Sequence, residues 1–227
     1  MCGNYATKGS ATWREFRKQI APEWPTPENA RYNIRPTDPA PLVRLDMDGY
    51  RLDDAQWWLI PASSNGTPNR KYPMFNARCE TLLERRSYRE PFMRQRGLMP
   101  MSAFVERSKA PDTAGYWSVT SELEGMAAAA LWEVWGSDDQ AILSCTMITT
   151  AAAPEFEPWH HRMPVLLTAD EWPRWLDNSV QIAPDDPLFK PALKYPLVLS
   201  PLDSAIGNVK NKSPDTMKPV GPVQVIK

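Results

Sequence analysis

No stretch of the chain approaches the ~18 consecutive apolar residues that cross a bilayer, and the first twenty residues hold no apolar core of a secretory signal. No membrane association is expected. The three cysteines (Cys2, Cys79, Cys145) are far apart and form no C-x-x-C pair, so neither a zinc cage nor a disulfide framework is indicated. Histidine is nearly absent: there are two, adjacent in "PWHHRMPVLL". No third His or Cys cluster supports a metal site, and no metal or other cofactor is expected. The chain also lacks a P-loop, a G-x-G-x-x-G and a G-x-S-x-G element, which leaves nucleotide-cofactor enzymes and α/β-hydrolases without support. Net charge is −1, so bulk charge does not draw this protein to nucleic acid, although a local patch still can. A reduced, cytoplasmic protein fits these absences.

Proline is plentiful instead, at 24 of 227 residues, about double the usual ~5%. The prolines are scattered, no repeat occurs, and no Gly/Ser linker divides the chain. Many short elements joined by turns are expected, in a single domain over residues 1–227. Ten tryptophans and a hydrophobic fraction of 42% supply its core. "SATWREFRKQIA" reads as an amphipathic helix capped by Ser10, with Trp13, Phe16 and Ile20 on one face. "APLVRLDMDGYRLDDAQWWLIP" reads as a hairpin about Asp48-Gly49. "ARCETLLERRSYRE" reads as a helix burying Leu82, Leu83 and Tyr88, and "GLMPMSAFVER" as strand. "GMAAAALWEVW" is ambiguous, its alanines favouring helix and its aromatic end strand. "AILSCTMITTAA" and "MPVLL" read as strands. Thr168 and Glu171 have capping-box spacing, with Pro173 awkward for a helix starting there. The sum is a mixed α+β domain dominated by short strands.

"MCGNYA" places a cysteine directly after the initiator methionine. An exposed, inert terminal residue is the commoner outcome. If Met1 is removed, however, Cys2 carries a free α-amine and a thiol on adjacent carbons. An α-amine near ~7.8 is roughly 10–15% neutral at pH 7, against a few parts in ten thousand for lysine. Such an amine condenses with an aldehyde, and the neighbouring thiol closes a five-membered thiazolidine. An internal cysteine gives only a reversible hemithioacetal. His160 and His161 lead into a buried strand and suit proton transfer near neutrality. In "MFNARCET", Asn76 offers an amide and Arg78 a guanidinium for an anion. Glu106 in "FVER" has apolar neighbours, and burial would raise its pKa into general-acid range. Each also has an ordinary structural reading. From Arg70 to Arg96 eight Lys/Arg face three Glu, a local excess of +5. That stretch suits phosphate binding or a solvated helix face with internal ion pairs.

The order of the motifs is more telling than any one of them. "MCGNYA", "RYNIRPTDPAPLV", "WWLIP", "MFNARCET", "LMPMSAFVER", "ALWEVW", "TMITTAAAP", "HHRMPVLL" and "IGNVKN" together resemble the SOS response-associated peptidase (SRAP) family across residues 2 to about 212, leaving 213–227 as a tail. The resemblance implies one α+β domain with a barrel-like core of short strands and flanking helices. It implies loss of Met1, by autoproteolysis or an aminopeptidase, and capture of abasic sites in single-stranded DNA as a thiazolidine crosslink that shields the lesion. By motif, Cys2 is the nucleophile, and Asn76 orients it. Glu106 assists ring opening and crosslink reversal, and His160 handles protons. Arg78 grips a phosphate. Arg85, Asn33, Asn208 and Lys210 line the site or its DNA groove. A monomer is expected. Three positions and one loop depart from the family pattern: Asn4 where arginine is common, Arg107 where tryptophan is frequent, His161 where aspartate is, and the stretch between Pro61 and Phe75, whose one aromatic is Tyr72. Two other readings remain. One is an N-terminal-nucleophile hydrolase or self-processing peptidase with a non-DNA substrate. The other is a non-catalytic nucleic-acid-binding module in which Cys2 is incidental.

Overall fold

The structure, a computed structural model, describes residues 2–9, 14, 18, 20, 29–122 and 126–227. The helix expected on "SATWREFRKQIA" lies largely outside them. Six strands form an open sheet: β1 (Tyr5–Thr7), β2 (Arg31–Ile34), β7 (Ala103–Ser108), β8 (Gly115–Ser121), β13 (Leu197–Leu202) and β14 (Gln224–Ile226). Their spatial order is β14-β13-β8-β7-β1-β2. The second sheet holds β3 (Pro39–Asp46), β4 (Gly49–Trp57), β5 (Asn76–Arg78), β6 (Arg96–Met101), β9 (Met126–Trp135), β10 (Ile142–Ala151), β11 (Arg162–Pro164) and β12 (Leu166–Leu167). Pairings β10–β4, β4–β3, β3–β6, β6–β9 and β9–β10 close a ring within it. The other sheet stays open, so the expected α+β domain is sheet-rich and partly ringed, and the core is not a true barrel.

The hairpin is where the Asp48-Gly49 signal puts it, with Gly49 at φ +109°, a conformation costly for any residue with a Cβ. The ambiguous alanine segment is strand β9. Ala127 to Ala130 are fully buried, because this strand has one face on the central core and the other under the helices. Two covered faces favour small side chains over helix propensity. "GLMPMSAFVER" is two strands in different sheets. The break is at Ser102, whose N–H and hydroxyl both donate to the Ala6 carbonyl at 2.8 and 3.1 Å.

The helix expected over 77–90 is displaced. Residues 76–78 pair with β10 instead, a 3-10 turn follows at Cys79–Thr81, and helix α1 spans Arg86–Arg94. Tertiary pairing here overrides local propensity. Helix α2 (Trp172–Leu176) begins after Glu171, which accepts from Thr168 N–H at 2.8 Å. Pro173 therefore falls in the first turn, where its missing N–H costs nothing.

Arg96 fastens the helical layer to the ring. It is 1% exposed, and burial lowers its pKa to about 10, leaving it charged at neutrality. Its guanidinium donates to the carbonyls of Phe92, Trp175, Asp177 and Val180, neutralising the C-terminal ends of both helices. Arg96→Met would orphan these carbonyls. We expect a loss of about 3–5 kcal/mol, seen as a fall in Tm of roughly 6–20 °C for a chain of this size. An unchanged Tm would show that water or another donor replaces the guanidinium.

Candidate functional site

Cys2 is 1% exposed, contrary to the frayed terminus that its position alone suggests. It is held from two sides. The Asn76 Nδ2 donates to the Cys2 carbonyl at 2.6 Å, and the Cys2 thiol points to the Asn4 carbonyl at 3.5 Å. That carbonyl also accepts the Val105 N–H at 2.9 Å. β1 thus hands the chain start directly to β7, the strand that carries Glu106. Burial pushes the Cys2 thiol well above its ordinary pKa, and the Glu106 carboxylate adds to the shift. The thiol is neutral at physiological pH.

Glu106 is 3% exposed. Burial raises its pKa to about 7, and the positive charge of the chain's amino terminus acts in the opposite direction. It opposes Trp117 across the β7–β8 ladder, so both side chains occupy the inner face. The Trp117 ring meets Trp159 edge-on at 5.8 Å, and the Thr113 hydroxyl donates to the Pro158 carbonyl at 2.7 Å. These contacts seat the loop that carries His160 over the Glu106 strand.

His160 Nδ1 is 3.0 Å from the Arg162 backbone N and 2.9 Å from the Arg162 carbonyl. Burial lowers its pKa, and the amino-terminal charge works in the same sense, so the imidazole is neutral at pH 7. His161 stacks on it at 4.4 Å. Arg162 is itself fixed: it donates to both Glu80 carboxylate oxygens, at 2.5 and 3.0 Å, and to Thr149. β10 lies between β5, which carries Asn76, and β11, which begins at Arg162. The Glu80–Arg162 pair therefore ties the Asn76 side to the His160 side. Glu80 and Arg162 have no role in the sequence reading, although both belong to quoted motifs.

The remaining expected residues separate into two groups. Arg78 is exposed at the end of β5, and Arg85 is exposed just before α1. Of the glutamates in the 70–96 stretch, Glu80 binds Arg162, and Glu90 meets Arg94 at 3.8 Å. Arg70 lies over Trp58 at 5.6 Å and Lys71 over Tyr72 at 5.4 Å. This basic surface is mostly solvated. Asn33, by contrast, is 0% exposed and adopts φ +52°. Its amide donates to the Asn208 and Asn211 carbonyls at 2.9 and 2.8 Å and accepts from Arg35 at 2.7 Å. Asn33 anchors the "GNVKN" segment rather than facing outward, while Asn208 and Lys210 are exposed on that segment. Among the described residues no group of three His, Cys, Asp or Glu is placed to hold a metal ion, and no helix is long and apolar enough to cross a membrane.

The arrangement sets an amide and a titratable carboxyl poised near neutrality against the second residue of the chain, with a neutral imidazole on the loop seated over the Glu106 strand. A family model described as SOS response associated peptidase (SRAP) matches residues 1–209. A curated relative, the abasic site processing protein YoqW of Bacillus subtilis, is 30% identical over 192 residues, covering 82% of this chain and 85% of its own. The abasic site processing protein HMCES of Gallus gallus is 24% identical, covering 91% of this chain and 71% of its own. A crystal structure of a protein from Bacteroides thetaiotaomicron superposes with a TM-score of 0.74 at 19% identity, covering 94% of this chain and 96% of that one.

Proposed function

We propose that this chain, which belongs to the SOS response associated peptidase (SRAP) family, captures abasic sites in single-stranded DNA through Cys2 once Met1 has been removed. The observation that carries this reading is the enclosure of Cys2 by Asn76 and Glu106. A terminal residue has no structural need for such fixing. The names of the curated relatives point to abasic sites as the substrate.

The chemistry balances without a cofactor. The neutral α-amine of Cys2 adds to the C1′ aldehyde of the ring-opened sugar, and the carbinolamine loses water to give an imine. The thiol then adds across the C=N bond, its sulfur to carbon and its proton to nitrogen, closing the thiazolidine. The sum is aldehyde plus aminothiol to thiazolidine plus water. A thiol kept neutral by burial brings the proton that the nitrogen needs, and ring closure is intramolecular. Glu106, near half-protonation at pH 7, opens the sugar and returns protons during reversal. His160, neutral at this pH, serves the proton transfers of imine formation. Asn76 fixes the attack geometry. Removal of Met1 by the chain itself is part of the same proposal, as are action as a monomer and a cytoplasmic setting.

The test is incubation with single-stranded DNA bearing one abasic site, followed by a denaturing gel and intact mass of the protein. A band that resists denaturation without borohydride, and forms only with the abasic strand, supports the reading. No band from a chain whose mass shows Met1 gone would overturn it in favour of a hydrolase with a non-DNA substrate. Asn76→Ala removes the bond to the Cys2 carbonyl. We expect crosslinking at saturating DNA to slow by about ten- to a hundredfold, the cost of misplacing a reacting group. Single-turnover kinetics measures this, and an unchanged rate would free Asn76 of the positioning role.

A further inference from the structure

The outer face of the six-stranded sheet carries a second set of polar groups, which the chemistry above does not use. Arg107 in β7 directly opposes Tyr116 in β8, and its guanidinium carbon stands 5.4 Å from the centre of the Tyr116 ring. Continuing the Tyr5–Ile34 register by one residue brings Arg35 beside Asn4. The Arg35 guanidinium is braced: it donates to Asn33 Oδ1 at 2.7 Å and to the Ile206 carbonyl. The next residue, Gly207, lies so close to Tyr116 that a Cβ there would stand 2.7 Å from the hydroxyl. The Ile206–Gly207 segment thus joins Arg35 on one side to Tyr116 and Arg107 on the other.

Neither guanidinium forms an ion pair among the described residues. Asp38, the acid nearest Arg35 in sequence, takes the Arg35 backbone N–H and the Lys212 ammonium instead. Burial lowers the Arg35 pKa, against the effect of Asp38. Asn4, beside Arg35 in the strand register, has an unsatisfied side-chain amide. It is 2% exposed, and neither its amide nitrogen nor its amide oxygen has a hydrogen-bond partner. Buried amides are rarely left so.

We infer that Arg35 and Arg107, set about Tyr116, hold one backbone phosphate of the bound DNA strand. The subsite lies on a different sheet from the strands of the basic stretch at 70–96. Guanidinium groups suit this task because their planar donors match phosphate oxygens. This inference rests on the DNA reading above.

The test measures binding of the intact chain to single-stranded DNA carrying a tetrahydrofuran abasic analogue, which has no aldehyde and stays noncovalent. Phosphates flanking the lesion are replaced one at a time by neutral methylphosphonates. We expect one position to weaken wild-type binding about tenfold, and the same replacement to cost Arg35→Gln or Arg107→Gln less than twofold. Each variant should also lower the slope of log K against log salt by about 0.7, the single-strand value for one phosphate, and Arg35→Lys should recover it. Arg107 is exposed, so its variant reports even if Arg35→Gln unfolds. Equal sensitivity of wild type and both variants at every phosphate would overturn the subsite. A parallel lane with an aldehyde-bearing strand separates the two failures: a wild-type crosslink without phosphate coupling refutes only the subsite, and no crosslink refutes the functional reading itself.

Discussion

Cys2→Ala is expected to abolish the denaturation-resistant product with abasic DNA, by at least about a thousandfold, yet to leave a product that borohydride traps. The two halves of that result separate the amine from the thiol. After loss of Met1 the alanine variant still presents an α-amine, so an imine with the sugar aldehyde still forms. That imine hydrolyses on denaturation, because no neighbouring thiol removes it into a ring. The loss follows from the effective molarity of a group one carbon away, which no free thiol in solution matches. The substitution removes one buried sulfur and costs roughly 1 kcal/mol or so, so Tm serves as a check that the site persists. Blocking the α-amine by acetylation should abolish the borohydride-trapped product as well. If Cys2→Ala crosslinks like wild type, the thiazolidine mechanism is wrong and an internal lysine must be sought.

The same residue shows where the sequence is legible and where it is silent. The chemistry proposed for Cys2 follows from its position alone, and the apolar neighbours of Glu106 signal the burial that the structure shows. The hairpin about Asp48-Gly49 is legible because a two-residue turn is local. What stays hidden depends on pairing between distant segments. "NAR" is a strand only because β10 accepts it. Asn33 looks like a groove residue from its motif, but the register of β2 turns it toward the 208–211 carbonyls. The alanines of β9 state their strand identity only once both faces of the ring are covered. Arg35, Arg107 and Asn4 come onto one sheet through the strand order β8-β7-β1-β2, which no local pattern encodes.

Glu106→Gln is expected to raise stability at high pH while collapsing activity. The carboxyl has an ordinary pKa of 4.5 and is held at about 7 in the folded chain. The unfolded chain therefore releases this proton first as pH rises. Between about 4.5 and 7 the folded state binds more protons than the unfolded one, so stability falls with pH through that window. The group's contribution is complete below 4.5 and lost above 7, a difference of about 3 kcal/mol. Glutamine keeps the shape without the charge, so the variant should unfold at higher temperature than wild type at pH 8 and at a similar temperature at pH 4. Activity should move the other way. Crosslinking requires a neutral α-amine, whose fraction rises toward pH 8, and a protonated Glu106, whose fraction falls through pH 7. The wild-type rate should then be bell-shaped with its maximum between the two values. Glu106→Gln should lose about a hundredfold or more at pH 7 and show a single rise with pH, the fall on the alkaline side gone. A variant that keeps the bell would assign the alkaline fall to another group. A variant less stable than wild type at pH 8 would mean that the carboxylate form is the one the folded site holds.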